Sequence, residues 1–152
     1  MVKLSKPSSP CLAVIIALAV TAAAVTADDP KGDVKGEQTL VGTWKVVSAK
    51  YGGKEVKWPE GTTTVKHVTP TQFMWATYDK DGKVIQAAGG PYTRKGEDYA
   101  ETPEYGVGAV FEKIKGKTLA FKCKVEGNRW YHTGQSPTGT TVEEVWERVE
   151  RK

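Results

Sequence analysis

Leu40-Val-Gly-Thr-Trp-Lys-Val-Val-Ser-Ala49 opens a train of short alternating segments, and Thr141-Val-Glu-Glu-Val-Trp-Glu-Arg-Val149 closes it. Both stretches are rich in the β-branched and aromatic residues that strands prefer. Between them, turn signals recur at roughly the 8–12-residue spacing of an all-β sandwich or barrel. They are Tyr51-Gly-Gly53, Pro59-Glu-Gly61, Thr69-Pro70, Asp79-Lys-Asp-Gly82 and Gly89-Gly-Pro91, then Lys95-Gly-Glu97, Glu104-Tyr-Gly106, Lys115-Gly-Lys117, Glu126-Gly-Asn128 and Ser136-Pro-Thr-Gly139. Glycine and proline punctuate because they supply or fix backbone angles that strands do not use.

Lys117-Thr-Leu-Ala-Phe-Lys-Cys-Lys-Val125 alternates most cleanly, with Leu119, Phe121, Cys123 and Val125 on one face. Period two means one face buried and one wet. Lys83–Ala88 and Tyr99–Thr102 are shorter strand signals, and no helical period of useful length runs through the segment from Thr39. The connections are too short for parallel crossovers, which need a dozen or more residues. The pattern therefore predicts one all-β domain, a single antiparallel up-and-down β-barrel of about 8–10 strands, since closure removes exposed edges. The lysines alternate along the strands, as solvent-facing residues do.

The first residues read differently. A basic start with Lys3 and Lys6, an apolar run from Leu12 to Val20 and a small-residue site at Val25-Thr-Ala27 make the pattern of a secretory signal peptide. The reading is residues 1–27 as signal peptide, 28–38 as a flexible polar lead-in, and 39–152 as the barrel domain. Cleavage near Ala27 sends the protein out of the cytoplasm, to a periplasmic or extracellular location, with no stable membrane span. Loss of Lys3 and Lys6 from 22 basic against 18 acidic residues leaves an excess of two. That excess is no footprint for nucleic acid, which needs basic residues clustered on one face. Only Cys123 follows the leader, so no intramolecular disulfide forms, and its alternation with apolar neighbours marks it as a small buried hydrophobe.

Gly42-Thr-Trp44 on the first strand, with Arg148 on the last, resembles the calycin superfamily and in particular the small secreted bacterial lipocalin-like domain. Lys66-His-Val-Thr-Pro-Thr-Gln-Phe73, Gly89-Gly-Pro-Tyr92, Tyr99-Ala-Glu101, Val125-Glu-Gly-Asn-Arg-Trp130 and Glu143-Glu-Val-Trp-Glu-Arg148 complete the set. The resemblance covers about residues 39–151 and implies that Gly42, Trp44 and Arg148 close the barrel. A guanidinium stacked on an indole face has a physical basis. In the related fatty-acid carriers an Arg and a Tyr on the last strand hold a carboxylate. Here Glu144 and Trp146 occupy that stretch, which argues against a simple fatty-acid carrier.

Aromatic walls with a few polar groups suit a small-ligand pocket. The residues expected to line it are Trp75, Tyr92, Tyr99, Glu101, Trp130, His132 and Trp146, with His67 added if its register turns it inward. Trp58, beside Pro59, either caps an open end or stands exposed. His67, Glu101, His132 and Glu144 include a set competent for zinc or iron. No His-x-His or His-Glu-x-x-His spacing supports that chemistry, so no metal or cofactor is assigned, and each His is read as a half-buried, hydrogen-bonded strand residue. No nucleophile elbow or local triad is present. The functional expectation is a secreted, non-catalytic binding protein holding a small apolar or amphipathic ligand. The alternative is a solid barrel acting as a structural or interaction module of the cell envelope.

Overall fold

Residues 39–149 are those described by the computed structural model, and the signal peptide and the lead-in read above lie outside them. The strands in chain order are β1 (Gly42–Tyr51), β2 (Lys54–Glu55), β3 (Thr63–Val68), β4 (Gln72–Tyr78) and β5 (Val84–Lys95). They continue with β6 (Asp98–Glu101), β7 (Tyr105–Val107), the helix α1 (Ala109–Ile114), β8 (Leu119–Glu126), β9 (Arg129–Gln135) and β10 (Thr141–Arg148). Every pairing is antiparallel. The order runs β1-β3-β4-β5-β6-β8-β9-β10, and β10 pairs back onto β1. This is a closed eight-strand antiparallel barrel, compatible with a calycin or lipocalin-like fold. β2 extends the sheet from β1, and β7 pairs with β5 beyond β6.

Directly opposed residues of antiparallel strands share a face. Starting from Trp44, which is wholly buried, the inward set therefore includes its partners Lys66 and Arg148. Lys66 opposes Trp75, and Trp75 opposes Ala88. On the other side of the barrel Trp146 opposes Trp130, Glu144 opposes His132, and His132 opposes Cys123. The register in β1 shifts between Val46 and Ser48. That irregularity inserts a residue and flips the alternation, so Trp44 and Val46 face inward before it, and Ala49 and Tyr51 after it. Val47 is left outward at 46 % exposure.

Two sequence readings are corrected. Gly89-Gly-Pro91 is no turn but the middle of β5, opposite Phe73 and Gln72. A Cβ on Gly90 would stand 2.0 Å from the Thr102 carbonyl oxygen, and one on Gly89 would strike the Tyr105 ring. The glycines are there to let the segment between β6 and β7 cross closely, with Thr102 N–H donating to Pro91 O and Glu104 N–H to Gly89 O. Glu104-Tyr-Gly106 likewise is mostly strand, in β7. The helix α1 went unread because six residues are under two turns, too few to show a period. Its Phe111 is buried where a Cβ on Gly106 would be. Gly106 opposes the inward Ala88, so α1 packs its Phe111 ring onto β7 beside that pair.

Where β1 meets β10, Arg148 lies over Trp44 with its guanidinium carbon 4.1 Å from the ring centroid. Its Nη1 donates to Val41 O at 2.9 Å and its Nη2 to Thr39 O at 2.6 Å. Trp44 Nε1 donates to Leu40 O at 2.8 Å. Gly42 has φ 143°, and a Cβ there would meet Arg148 Nη1.

Candidate functional site

Lys66 is the residue that the sequence reading missed. It is 2 % exposed, and its ammonium lies 2.6 Å from Glu101 Oε2. Tyr99 donates its phenol O–H to the same oxygen at 2.9 Å. Four rings surround the ammonium within 6 Å of their centroids: Trp130 at 4.9 Å, Phe73 at 5.1 Å, Tyr99 at 5.4 Å and Trp146 at 5.7 Å. A cation over several aromatic faces gains from each quadrupole when desolvated. The one signal that could have found it is register. Lys66 lies two residues before the apolar Val68 and two after Thr64, on the face that must turn inward if Val68 does.

Aromatic rings then run along β9 and its neighbours. Trp130 packs edge-on to Trp44 and Tyr99, each at 5.7 Å, and stacks on Trp146 at 5.9 Å. His132 follows two residues later, 1 % exposed, 5.0 Å from Trp130 and 4.0 Å from Phe121. Burial, reinforced by the Lys66 charge, holds its imidazole well below the usual histidine range, so it is neutral near pH 7. Among the described residues neither Trp130 Nε1 nor His132 Nδ1 has a hydrogen-bond partner, although both atoms are buried.

Glu144 forms a second polar knot. It accepts from Tyr51 O–H at 2.8 Å and from Trp146 Nε1 at 3.0 Å. Burial pushes its carboxyl above the ordinary range, against the opposing pull of Lys66 and of these two bonds. Burial also raises Tyr99, helped by the Glu101 charge, and raises Tyr51, helped by Glu144. Thr64 and Thr77, opposed across β3 and β4, share a hydrogen bond of 2.8 Å.

Of the residues read as pocket-lining, Tyr99, Glu101, Trp130, His132 and Trp146 come together around Lys66. Tyr92 packs on Tyr99 at 5.3 Å but spends its hydroxyl on Thr69 O. Trp75 faces Lys66 across β3–β4, half-buried and outside the main aromatic cluster. His67 is turned outward and exposed, with Nδ1 3.1 Å from Thr43 Oγ1. Its pairing in β3 puts it one residue off the inward face, so His67, Glu101 and His132 do not converge. Among the described residues no three His, Cys, Asp or Glu side chains are placed to hold a metal ion. The half-buried histidine reading is also corrected, since one ring is exposed and the other fully enclosed. Glu144 and Arg148 share the inward face but go to separate partners. Trp58 is half-buried and packs against the core cluster.

The assembled interior therefore offers a neutralised ion pair, a neutral imidazole, an indole N–H without an acceptor and a carboxyl biased toward its protonated form. Such a set can orient a small molecule by hydrogen bonding. Compared with known proteins, the sequence matches no family model and shows no significant similarity to a curated protein.

Proposed function

We propose that the chain is a secreted, non-catalytic, lipocalin-like binding protein that holds a small apolar or amphipathic molecule inside its barrel. The observation that carries this reading is the polar interior. A barrel of about eight strands is just wide enough to be filled by side chains or to hold one small ligand. Were it only a scaffold, apolar residues would serve better, since replacing a buried ion pair by packed hydrophobes is often neutral or stabilising. This interior instead keeps Lys66, Glu101, His132 and Glu144 among aromatic walls. Aromatic lining with a few placed polar groups is the composition of small-ligand sites. The resemblance in Gly42, Trp44 and Arg148 points the same way.

One observation favours a second reading. Trp44, Tyr99, Cys123 and Trp130 are each no more than 1 % exposed, as in a barrel filled by its own side chains. On that reading the protein is a structural or interaction module of the envelope. Native mass spectrometry of protein purified from its own cells separates the two. A retained small molecule that is released on denaturation supports binding. Absence of saturable tryptophan quenching across a broad metabolite and lipid panel, with nothing retained, supports the solid module.

A further inference from the structure

Trp130 Nε1 and His132 Nδ1 are the two buried side-chain polar atoms without a partner among the described residues. They lie two residues apart on the inward face of β9, on rings whose centroids are 5.0 Å apart. Native proteins rarely leave such atoms unpaired, because each forfeits its hydration without compensation. Their chemistry limits what can satisfy them. An indole N–H only donates, so the partner atom must accept. A neutral imidazole with its proton on Nδ1 adds a second donor beside it.

Charge limits the partner further. The single enclosed cation of the cluster, Lys66, already faces Glu101 at 2.6 Å. A ligand carboxylate would have to compete with Glu101 for that ammonium, and a ligand cation would meet Lys66 itself in the aromatic cage. An isolated charge in such an interior is costly. An uncharged acceptor meets neither obstacle.

The outer wall of the barrel is indented at Phe121, the residue that separates this pair of atoms from solvent there. The β8–β9 ladder runs from Glu126 and Arg129 only as far as Phe121 and Gly134. Where it stops there is an open surface depression of about 650 Å³, lined by Leu119, Phe121 and Gly134 together with the outward-facing Asp98, Lys122 and Thr133. Phe121 links the two, since its ring is also the one 4.0 Å from His132.

We infer that the barrel takes an uncharged, carbonyl-bearing apolar molecule through the wall between β8 and β9, its oxygen accepting from Trp130 Nε1 and His132 Nδ1. This inference rests on the small-ligand reading above and adds the ligand's polar chemistry and its route. Phe121 is the side chain that must swing aside.

Three ten-carbon probes of matched chain test it: 2-decanone, decanoate and decylammonium, titrated into the full-length protein with ¹⁵N-labelled tryptophan. The ketone should move the Trp130 indole N–H resonance saturably, with the two charged probes binding about tenfold or more weakly. Trp130→Phe, which keeps the ring and loses the donor, should erase most of the ketone's advantage. The wild-type resonance decides alone if that variant does not fold. Tighter binding of decanoate or decylammonium overturns the carbonyl assignment while leaving a binding barrel in place. Saturable ketone binding with a motionless Trp130 resonance overturns the site. Saturation by none of the three overturns the inference, and leaves a bound water as the partner of these atoms. The small-ligand reading falls with it only if native mass spectrometry also finds nothing retained. For the route, Phe121→Leu should speed ketone uptake in stopped-flow quenching, and an unchanged rate overturns it.

Discussion

Lys66 and Glu101 meet inside the barrel at 2.6 Å, with side chains 2 % and 5 % exposed. Each is held by a strand on a different side of the interior, β3 and β6. Removing one partner strands the other as a buried charge, which costs about 3–5 kcal/mol. Lys66→Met and Glu101→Gln should each lower stability in urea melts by that order. The double substitution Lys66→Met with Glu101→Gln should cost far less than the sum of the singles. A near-additive double-mutant cycle would show that the two side chains are not energetically paired.

The Trp44 ring, the Arg148 guanidinium and Gly42 form one closure. Trp44→Ala should destabilise the fold by about 3–5 kcal/mol, the range for deleting a large buried aromatic. Gly42→Ala should cost about 1–3 kcal/mol, because φ 143° strains any other residue and the new methyl group would push Arg148 off its carbonyl partners. Arg148→Lys should recover little of an Arg148→Ala loss, since a point-charge amine cannot serve Thr39 O and Val41 O together while stacking on the ring. A Trp44→Ala loss below about 1 kcal/mol in denaturant melts would remove the ring from the core.

The barrel was legible because alternation and turn chemistry are local. Leu119, Phe121, Cys123 and Val125 can be assigned to one face from sequence, and opposed pairs place that face inward. Closure was legible from the need to remove sheet edges and from Gly42 and Trp44 on the first strand with Arg148 on the last. What stayed hidden depended on register or on close approach. The β1 bulge reverses inward and outward after Val46, which no periodicity announces. Gly89 and Gly90 look like a turn because the segment they make room for lies more than ten residues away. Lys66 was passed over because an alternating lysine ordinarily faces water. Only its partner Glu101, thirty-five residues on, makes burial tolerable.

Cys123 is 1 % exposed and packed in the core cluster. Thiol-labelling reagents should therefore react with it slowly in the native protein and at the rate of a free thiol in strong denaturant. Fast native labelling would mean that the wall between β8 and β9 opens far more often than a closed barrel allows.

Glu144 makes stability fall with rising pH. Its carboxyl is raised in the folded state, chiefly by burial, so between the ordinary carboxylate pKa and the raised value the folded chain binds more protons than the unfolded. The stability it contributes is complete below the ordinary value and is lost as pH climbs through the raised one. Glu144→Gln mimics the protonated form, so the stability difference between wild type and variant should shift in the variant's favour as pH rises above about 4.3. A pH-independent difference would mean that Glu144 titrates as an ordinary carboxylate.

His132 acts with the opposite sign. Burial and the Lys66 charge depress its pKa in the fold, so the unfolded chain binds the proton more readily. Its contribution is complete above about 6.5, the unfolded value, and is lost as pH falls through the depressed one. Across that window the slope reaches at most about 1.4 kcal/mol per pH unit for one proton. Replacement by Gln, which cannot titrate, should flatten this part of the acid limb while leaving the Glu144 effect in place. The two effects run against each other, so wild-type melts alone will show a muted profile, and the variants are needed to resolve them. If His132→Gln and wild type lose stability in parallel from pH 7 to pH 4, the imidazole is protonated within the fold. The neutral ring that faces Trp130 would then be excluded.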